Sequence, residues 1–159
     1  MKFLEIAKKF NFIKVSSIQN EYSLLCRLFD TDLSEVSIYE KVFLMCYSPL
    51  SAGLLTGKYQ NSEKPLNSRI IVNPSLGGRL NKRSKKVVNK YISLAKKYSI
   101  NINHMSLAFC ASRPFMGSVI IGASNMNQLK FLLNGIETKL SEELLSEINK
   151  INRQNPFPF

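Results

Sequence analysis

The chain has 159 residues, 45% of them hydrophobic, and 22 Lys and Arg against 11 Asp and Glu give it a formal charge of +11. It is long enough to bury a core and too apolar for a disordered tail, and no apolar run is long enough to span a bilayer, so the expectation is one basic globular domain in the cytoplasm. Three separated cysteines (Cys26, Cys46, Cys110) without a CxxC pair, and His104 as the one histidine, argue against a disulfide framework or a zinc site.

The opening MKFLEIAKKF has apolar residues at helical spacing and no cleavage-site pattern, so residues 2–10 read as a helix with Phe3, Ile6, Ala7 and Phe10 on one side rather than as a signal peptide. Val15 to Gln19 reads as a short strand. Asp30 to Tyr39 reads as one helix with Leu33, Val36 and Ile38 inward, and the run from Val42 to Tyr47 as a strand buried on both faces that stops at Ser48-Pro49. Residues 53–80, with Pro65, Pro74 and Gly77-Gly78, lack periodicity and form a long excursion of the kind that is usually functional or disordered. A basic amphipathic helix follows, with Val87, Val88, Tyr91, Ile92, Ala95 and Tyr98 on one face, and then a helix from His104 to Ala111. Ser118 to Ile121 is a third strand running through Gly122-Ala123-Ser124 into a helix capped by Ser124, with Leu129, Leu132, Leu133 and Ile136 on one face. The last helix starts at Ser141, with Glu142 and Glu143 at its positive end and Leu140 placed to staple Leu145, and runs to about Asn152.

The charge is localised. Lys64 to Ile136 hold 12 of the 22 basic residues and none of the 11 acidic ones. Arg79, Lys82, Arg83, Lys85, Lys86, Lys90, Lys96 and Lys97 cluster at the basic helix, and a solvated helix face is the plain reading. Such a field also attracts phosphate-bearing ligands or nucleic acid, but no aromatic-interleaved basic loop or finger spacing accompanies it, so nucleic acid is not the expected partner.

Alternating strands and helices imply parallel strands joined by helical crossovers, and three strands leave sheet edges and one face open, as in part of a larger α/β fold. Each strand ends in small or polar residues, and ligands of α/β folds lie at those carboxyl ends. A strand passing through glycine into a capped helix offers backbone N–H groups and a dipole end to an anion, a phosphate above all, although an ordinary cap has the same spacing. Gly53 to Tyr59 looks like a P-loop but has three residues between its glycines, and Tyr59 stands where Ser or Thr is needed, which excludes nucleotide hydrolysis.

Together SIQNEYSLL (Ser17 to Leu25), YSPLSAGLLTGKY (Tyr47 to Tyr59), Asn67-Ser68-Arg69, SLAFCASRPF (Ser106 to Phe115) and VIIGASNMNQL (Val119 to Leu129) resemble the aldo-keto reductases, most of all the Tas-like bacterial branch related to potassium-channel beta subunits. The resemblance implies the C-terminal portion of a (β/α)8 TIM barrel, from the fifth helix through the eighth strand, and NADP(H) at the strand ends for reducing aldehydes or ketones. It implies that Gln19 bonds the nicotinamide carboxamide and that Tyr47 stacks on the nicotinamide ring. It places Ser48, Leu50, Ser51 and Gly53 around the pyrophosphate, Lys58 and Arg69 on a loop closing over the cofactor (53–80), and Gly122, Ser124 and Gln128 at the adenosine 2′-phosphate. Phe131 and Leu132 stand where relatives carry polar adenine contacts, so one such contact is expected to be lost. A whole barrel needs about 250 residues. The family's catalytic Asp, Tyr, Lys and His belong to its first half, so the expectation is a truncated oxidoreductase without catalytic residues of its own. It would be inactive alone, or would work on a small carbonyl substrate once complemented by a separately encoded N-terminal half. The rival expectations are a non-catalytic nucleotide-binding or partner-binding module and a non-functional gene remnant.

Overall fold

A computed structural model describes residues 1–61 and 66–159, so the Lys64 and Pro65 of the sequence reading lie outside the described residues. The chain enters through helix α1 (Lys2–Lys9) and strand β1 (Ser17–Glu21), then α2 (Leu28–Asp32), α3 (Ser34–Glu40) and β2 (Phe43–Tyr47). A 3₁₀ turn (Ser51–Thr56) and the short α4 (Arg69–Val72) interrupt the excursion, which ends at α5 (Lys82–Lys97). The chain closes with α6 (Ile102–Ala111), β3 (Met116–Val119), α7 (Met126–Leu133) and α8 (Glu142–Gln154).

The three strands form one parallel sheet in the order β1-β2-β3, with Gln19 level with Met45, Met45 level with Ser118, and an irregularity between Leu44 and Met45. Parallel neighbours level with one another share a face, so the sheet has two distinct sides. Leu44 and Cys46 are fully buried, whereas Phe43 and Tyr47 are about 40% exposed. The expectation of a strand buried on both faces is therefore corrected. An all-apolar run suits a strand whose second face is covered, and here the second face is open.

The core lies on the other side. Tyr22 stacks on Phe109 (centroids 5.9 Å apart, 7° between planes) and meets Phe115 edge-on at 5.5 Å. Its hydroxyl donates to Asp30 at 2.6 Å, and Asp30 is also paired with Arg27 at 2.7 Å. Burial and then the Asp30 carboxylate push the Tyr22 phenol far above its ordinary range. Helix α5 presents Val87, Val88, Tyr91, Leu94 and Ala95 to this core, and its Tyr91 hydroxyl donates to the Leu24 carbonyl at 3.1 Å. Lys82, Arg83, Lys86, Lys90, Lys96 and Lys97 are exposed, the solvated face expected from the spacing.

Several element boundaries differ from the sequence reading. Strand β1 starts two residues later than Val15, because ladder pairing begins where Phe43 N–H reaches the Ser16 carbonyl. The single helix over Asp30 to Tyr39 is two, broken at Leu33. There the Ser34 hydroxyl turns back to the Asp30 carbonyl at 2.7 Å; Phe29 and Ser37 are buried, while Val36 and Ile38 face outward. The basic helix starts at Lys82, where Asn81 and Ser84 form a reciprocal capping box, so Arg79 precedes it. Asn101 caps α6, which begins two residues before His104. Strand β3 is Met116–Val119 rather than Ser118 to Ile121, although Ile120 N–H still reaches the Cys46 carbonyl. Asn125, not Ser124, caps α7, accepting from Gln128 N–H at 2.9 Å. That helix ends at Leu133 with Leu132 buried and Ile136 exposed. Ser141 caps α8 as expected, and α8 extends to Gln154.

The apolar side of α1 is largely uncovered among the described residues: Ala7 is buried, but Phe3, Ile6 and Phe10 are exposed.

All three thiols are free and buried, and burial pushes Cys26 up to about 11. Native protein at pH 8 is expected to resist a thiol-specific disulfide reagent such as DTNB, with all three thiols reacting once guanidinium is added; immediate reaction of all three would contradict this core.

Candidate functional site

A cleft of about 780 Å³ opens at the carboxyl ends of β2 and β3, within the usual size range of small-molecule sites. Its walls come from segments far apart in sequence. Tyr47 ends β2, Ser48 and Leu50 follow it, Gly53 lies in the 3₁₀ turn, Lys58 follows that turn, and Arg69 opens α4. Gly122, Ser124 and Gln128 join β3 to α7. The parallel sheet brings these stretches together because β2 and β3 are hydrogen-bonded neighbours that end within one residue of each other.

Two residues of the expected set lie elsewhere. Gln19 is exposed on the same sheet face as Tyr47 but does not line the cleft. Ser51 is fully buried, and its hydroxyl shares a 2.9 Å hydrogen bond with that of Ser23, whose oxygen also accepts the N–H groups of Leu25 and Cys26. Its side chain thus ties the loop after β2 to the loop after β1.

The backbone after β2 is unusual. Ser48 (φ 55°), Ser51 (φ 47°) and Ala52 (φ 56°) occupy the left-handed region, and Gly53 follows at φ 90°. Each non-glycine residue there costs on the order of 1 kcal/mol, and such strain clusters at ligand sites where surrounding structure holds it. Gly53 is needed for its φ, while the Lys58 side chain passes close enough to touch a Cβ placed there (3.4 Å).

Among the described residues the cleft has no acidic lining residue, and its two described cations, Lys58 and Arg69, have no carboxylate within ion-pair distance. At the start of α7, Gln128 Oε1 accepts the Ser124 N–H at 3.0 Å, so the first amide of this turn is already satisfied from within. The arrangement suits an elongated anion with flat ring systems: cations and helix-end amides for phosphate, and the rings of Tyr47 and Phe131 for stacking. Asn103 and Thr56 also line the cleft and were missed. Asn103 lies in the first turn of α6, bonded to the cap Asn101, and reads in sequence as capping alone. Phe131 and Leu132, expected only as lost contacts, are wall residues.

Beside the cleft, Arg79 fixes the end of the long excursion. Its Nε and a terminal nitrogen donate to the two carboxylate oxygens of Glu21 at 2.8 and 2.5 Å, and the pair is largely shielded from water. The Glu21 hydrogen bond raises the Arg79 pKa further. Arg79→Ala leaves that carboxylate without its partner. A denaturation series is expected to show a loss of about 1–3 kcal/mol, less than for a fully buried pair because some solvent reaches both groups.

Comparison with known proteins agrees with this geometry. The family model described as "Aldo/keto reductase family" matches residues 2–153. Protein tas of Escherichia coli is 37% identical over 158 residues, which is 99% of this chain and 46% of that protein, and its Shigella flexneri counterpart gives the same figures. A putative voltage-gated potassium channel subunit beta of Schizosaccharomyces pombe is 30% identical over 159 residues, and an aldo-keto reductase of Babesia bovis 30% over 137. The chain spans about half the length of these relatives and corresponds to the C-terminal part of the family. Its three parallel strands with flanking helices accordingly form part of a barrel, and no described helix is long and apolar enough to cross a membrane. With the family model spanning nearly its whole length, the chain belongs to the aldo-keto reductase family.

Proposed function

We propose that this chain is the cofactor-holding part of an NADPH-dependent carbonyl reductase. The observation that carries the reading is the convergence of Tyr47, Lys58, Arg69, Ser124 and Gln128, distant in sequence, on one cleft whose described lining holds two cations and no acid. That donor set fits a phosphorylated dinucleotide. Tyr47 offers its ring to the nicotinamide, Ser48, Leu50 and Gly53 surround the pyrophosphate, and Lys58 and Arg69 neutralise phosphate charge. Gly122, Ser124 and Gln128 hold the 2′-phosphate, with Gln128 giving up its bond to the Ser124 amide. Gln19, outside the cleft wall but on the same sheet face as Tyr47, is the proposed partner of the carboxamide edge, and Ser51 keeps the strained loop in place through Ser23.

Bound NADPH supplies a hydride for a carbonyl carbon. The proton that must accompany it is assigned to the part of the family's fold that this match does not cover. That part also fits the surface left open: the edge of β1, the exposed Phe3, Ile6 and Phe10 of α1, and the uncovered sheet face at Phe43 and Tyr47. A complementary N-terminal half, whether separately encoded or continuous with this chain, is the proposed partner, and a small aldehyde or ketone the proposed substrate of the joined pair. A non-catalytic nucleotide-binding module is the second reading, favoured by the same open face without the complement.

Titration of the chain with NADPH and NADH, followed by nicotinamide fluorescence, tests the cofactor assignment. Saturable binding is expected, tighter for NADPH by about tenfold or more, because charge-assisted bonds to the extra phosphate contribute about 1.5–3 kcal/mol. Absence of binding, or equal binding of both, counts against it. Carbonyl reduction by the chain alone would overturn the assignment of the proton donor elsewhere.

A further inference from the structure

Phe131 is 41% exposed on α7 and forms part of the cleft wall. A half-exposed phenylalanine at a cleft is otherwise unexplained, and its surroundings hold it in a defined pose. One side of its ring is backed by the His104 imidazole, with centroids 4.8 Å apart and 31° between planes. The His104 Nε2–H donates to the Phe131 carbonyl at 2.8 Å, tying α6 to the end of α7. Gly135 makes room for this: a Cβ there would lie 2.2 Å from two imidazole carbons, a separation no structure tolerates. Gly135, His104 and Phe131 thus form a stack whose last ring borders the cleft.

Among the described residues that line the cleft, only Tyr47 and Phe131 are aromatic, and they come from different elements. A dinucleotide has two flat ring systems. With the nicotinamide on Tyr47, the base at the other end is left for Phe131. We propose that Phe131, backed by His104, is the specificity-determining wall for the purine of the cofactor, and that it recognises the base by its face rather than by its edge. The inference rests on the cofactor reading above and adds to it the manner of base recognition. Stacking accepts any base with a π-face, whereas edge hydrogen bonds discriminate between exocyclic groups. Neither Phe131 nor Leu132 has a side-chain donor or acceptor. The Phe131–Leu132 wall therefore does not discriminate the purine's 6-substituent.

The test compares three probes on the full chain: NADPH, its hypoxanthine analogue, and reduced nicotinamide mononucleotide, which has no purine. For the wild type, the two dinucleotides are expected to bind within about threefold of each other, since both present the same stacking surface. Phe131→Ala should weaken both by about tenfold, the usual loss on removing one stacking partner, and leave the mononucleotide unchanged. Phe131→Tyr should retain the wild-type pattern. Gly135→Ala, which displaces His104 without altering the cleft wall itself, should move both dinucleotides in the same direction as Phe131→Ala. If Phe131→Ala does not fold, Phe131→Leu keeps the apolar bulk without the ring face and should give the same selective loss. Undiminished NADPH binding by the folded Ala or Leu variant overturns the proposal, as does a hypoxanthine analogue tenfold or more weaker than NADPH. Mononucleotide binding as tight as that of NADPH overturns the purine wall and leaves the cofactor reading standing. A wild-type chain that binds none of the three overturns both.

Discussion

Lys58→Ala combined with Arg69→Ala is expected to lower NADPH affinity by about a hundredfold or more, with little change in the thermal midpoint. Both residues line the cleft, and neither contributes an ion pair to the fold among the described residues, so their removal costs the fold little. Each charge-assisted bond to a phosphate oxygen is worth about 1.5–3 kcal/mol, and 1.4 kcal/mol is a factor of ten. The wild-type affinity should also fall as salt is raised, and the double variant should lose most of that dependence, because screening acts on charges that are no longer present. Calorimetric titration at two ionic strengths measures both effects. An unchanged affinity would remove the two cations from the site.

The second large effect concerns folding. Tyr22→Ala should cost about 3–5 kcal/mol, a large fraction of the 5–15 kcal/mol that holds an ordinary domain, and should leave much of the population unfolded at room temperature. The loss has several sources: the ring stacks on Phe109, meets Phe115 edge-on, and fills fully buried space between β1 and α6. Tyr22→Phe should cost only about 1–2 kcal/mol, because Asp30 keeps its Arg27 partner when the phenol is removed. Urea unfolding followed by circular dichroism should rank wild type, Phe and Ala in that order. Equal midpoints for Phe and Ala would mean that the hydroxyl, and not the packing of the ring, dominates. The site depends on this cluster, since Ser23, next to Tyr22, bonds the strained loop through Ser51.

How much of this was legible beforehand varies with the interaction range. Ser141 as the cap of α8 and the solvated basic face of α5 follow from side chains acting on their own turn, so spacing suffices to find them. The inward turn of Ser37 near the end of α3 was not legible, because its hydroxyl reaches the carbonyl of Val42 only once the chain has turned toward β2. Nor was the cap of α7: Ser124 and Asn125 are both good caps, and the direction of the chain leaving β3 puts Asn125 in the extended conformation that a cap needs. For the site, the residues after each strand could be marked as ligand-facing because α/β folds place ligands there. Ser51 shows the limit of that rule, since its position in the motif is shared with cleft residues while its side chain turns into the protein to meet Ser23.

By itself the sequence determined the family, the alternation of strands and helices, and most of the segments from which the cleft is built. Motif order and periodicity are properties of the covalent chain and survive without knowledge of the fold. Only the tertiary structure decided that Phe131 stands against His104 with Gly135 behind it, that Gln128 occupies the Ser124 amide, and that one face of the sheet and the apolar side of α1 are open. Each of these depends on where non-neighbouring segments meet in space, and burial and close approach between distant residues are set by packing, which no local pattern of residues encodes.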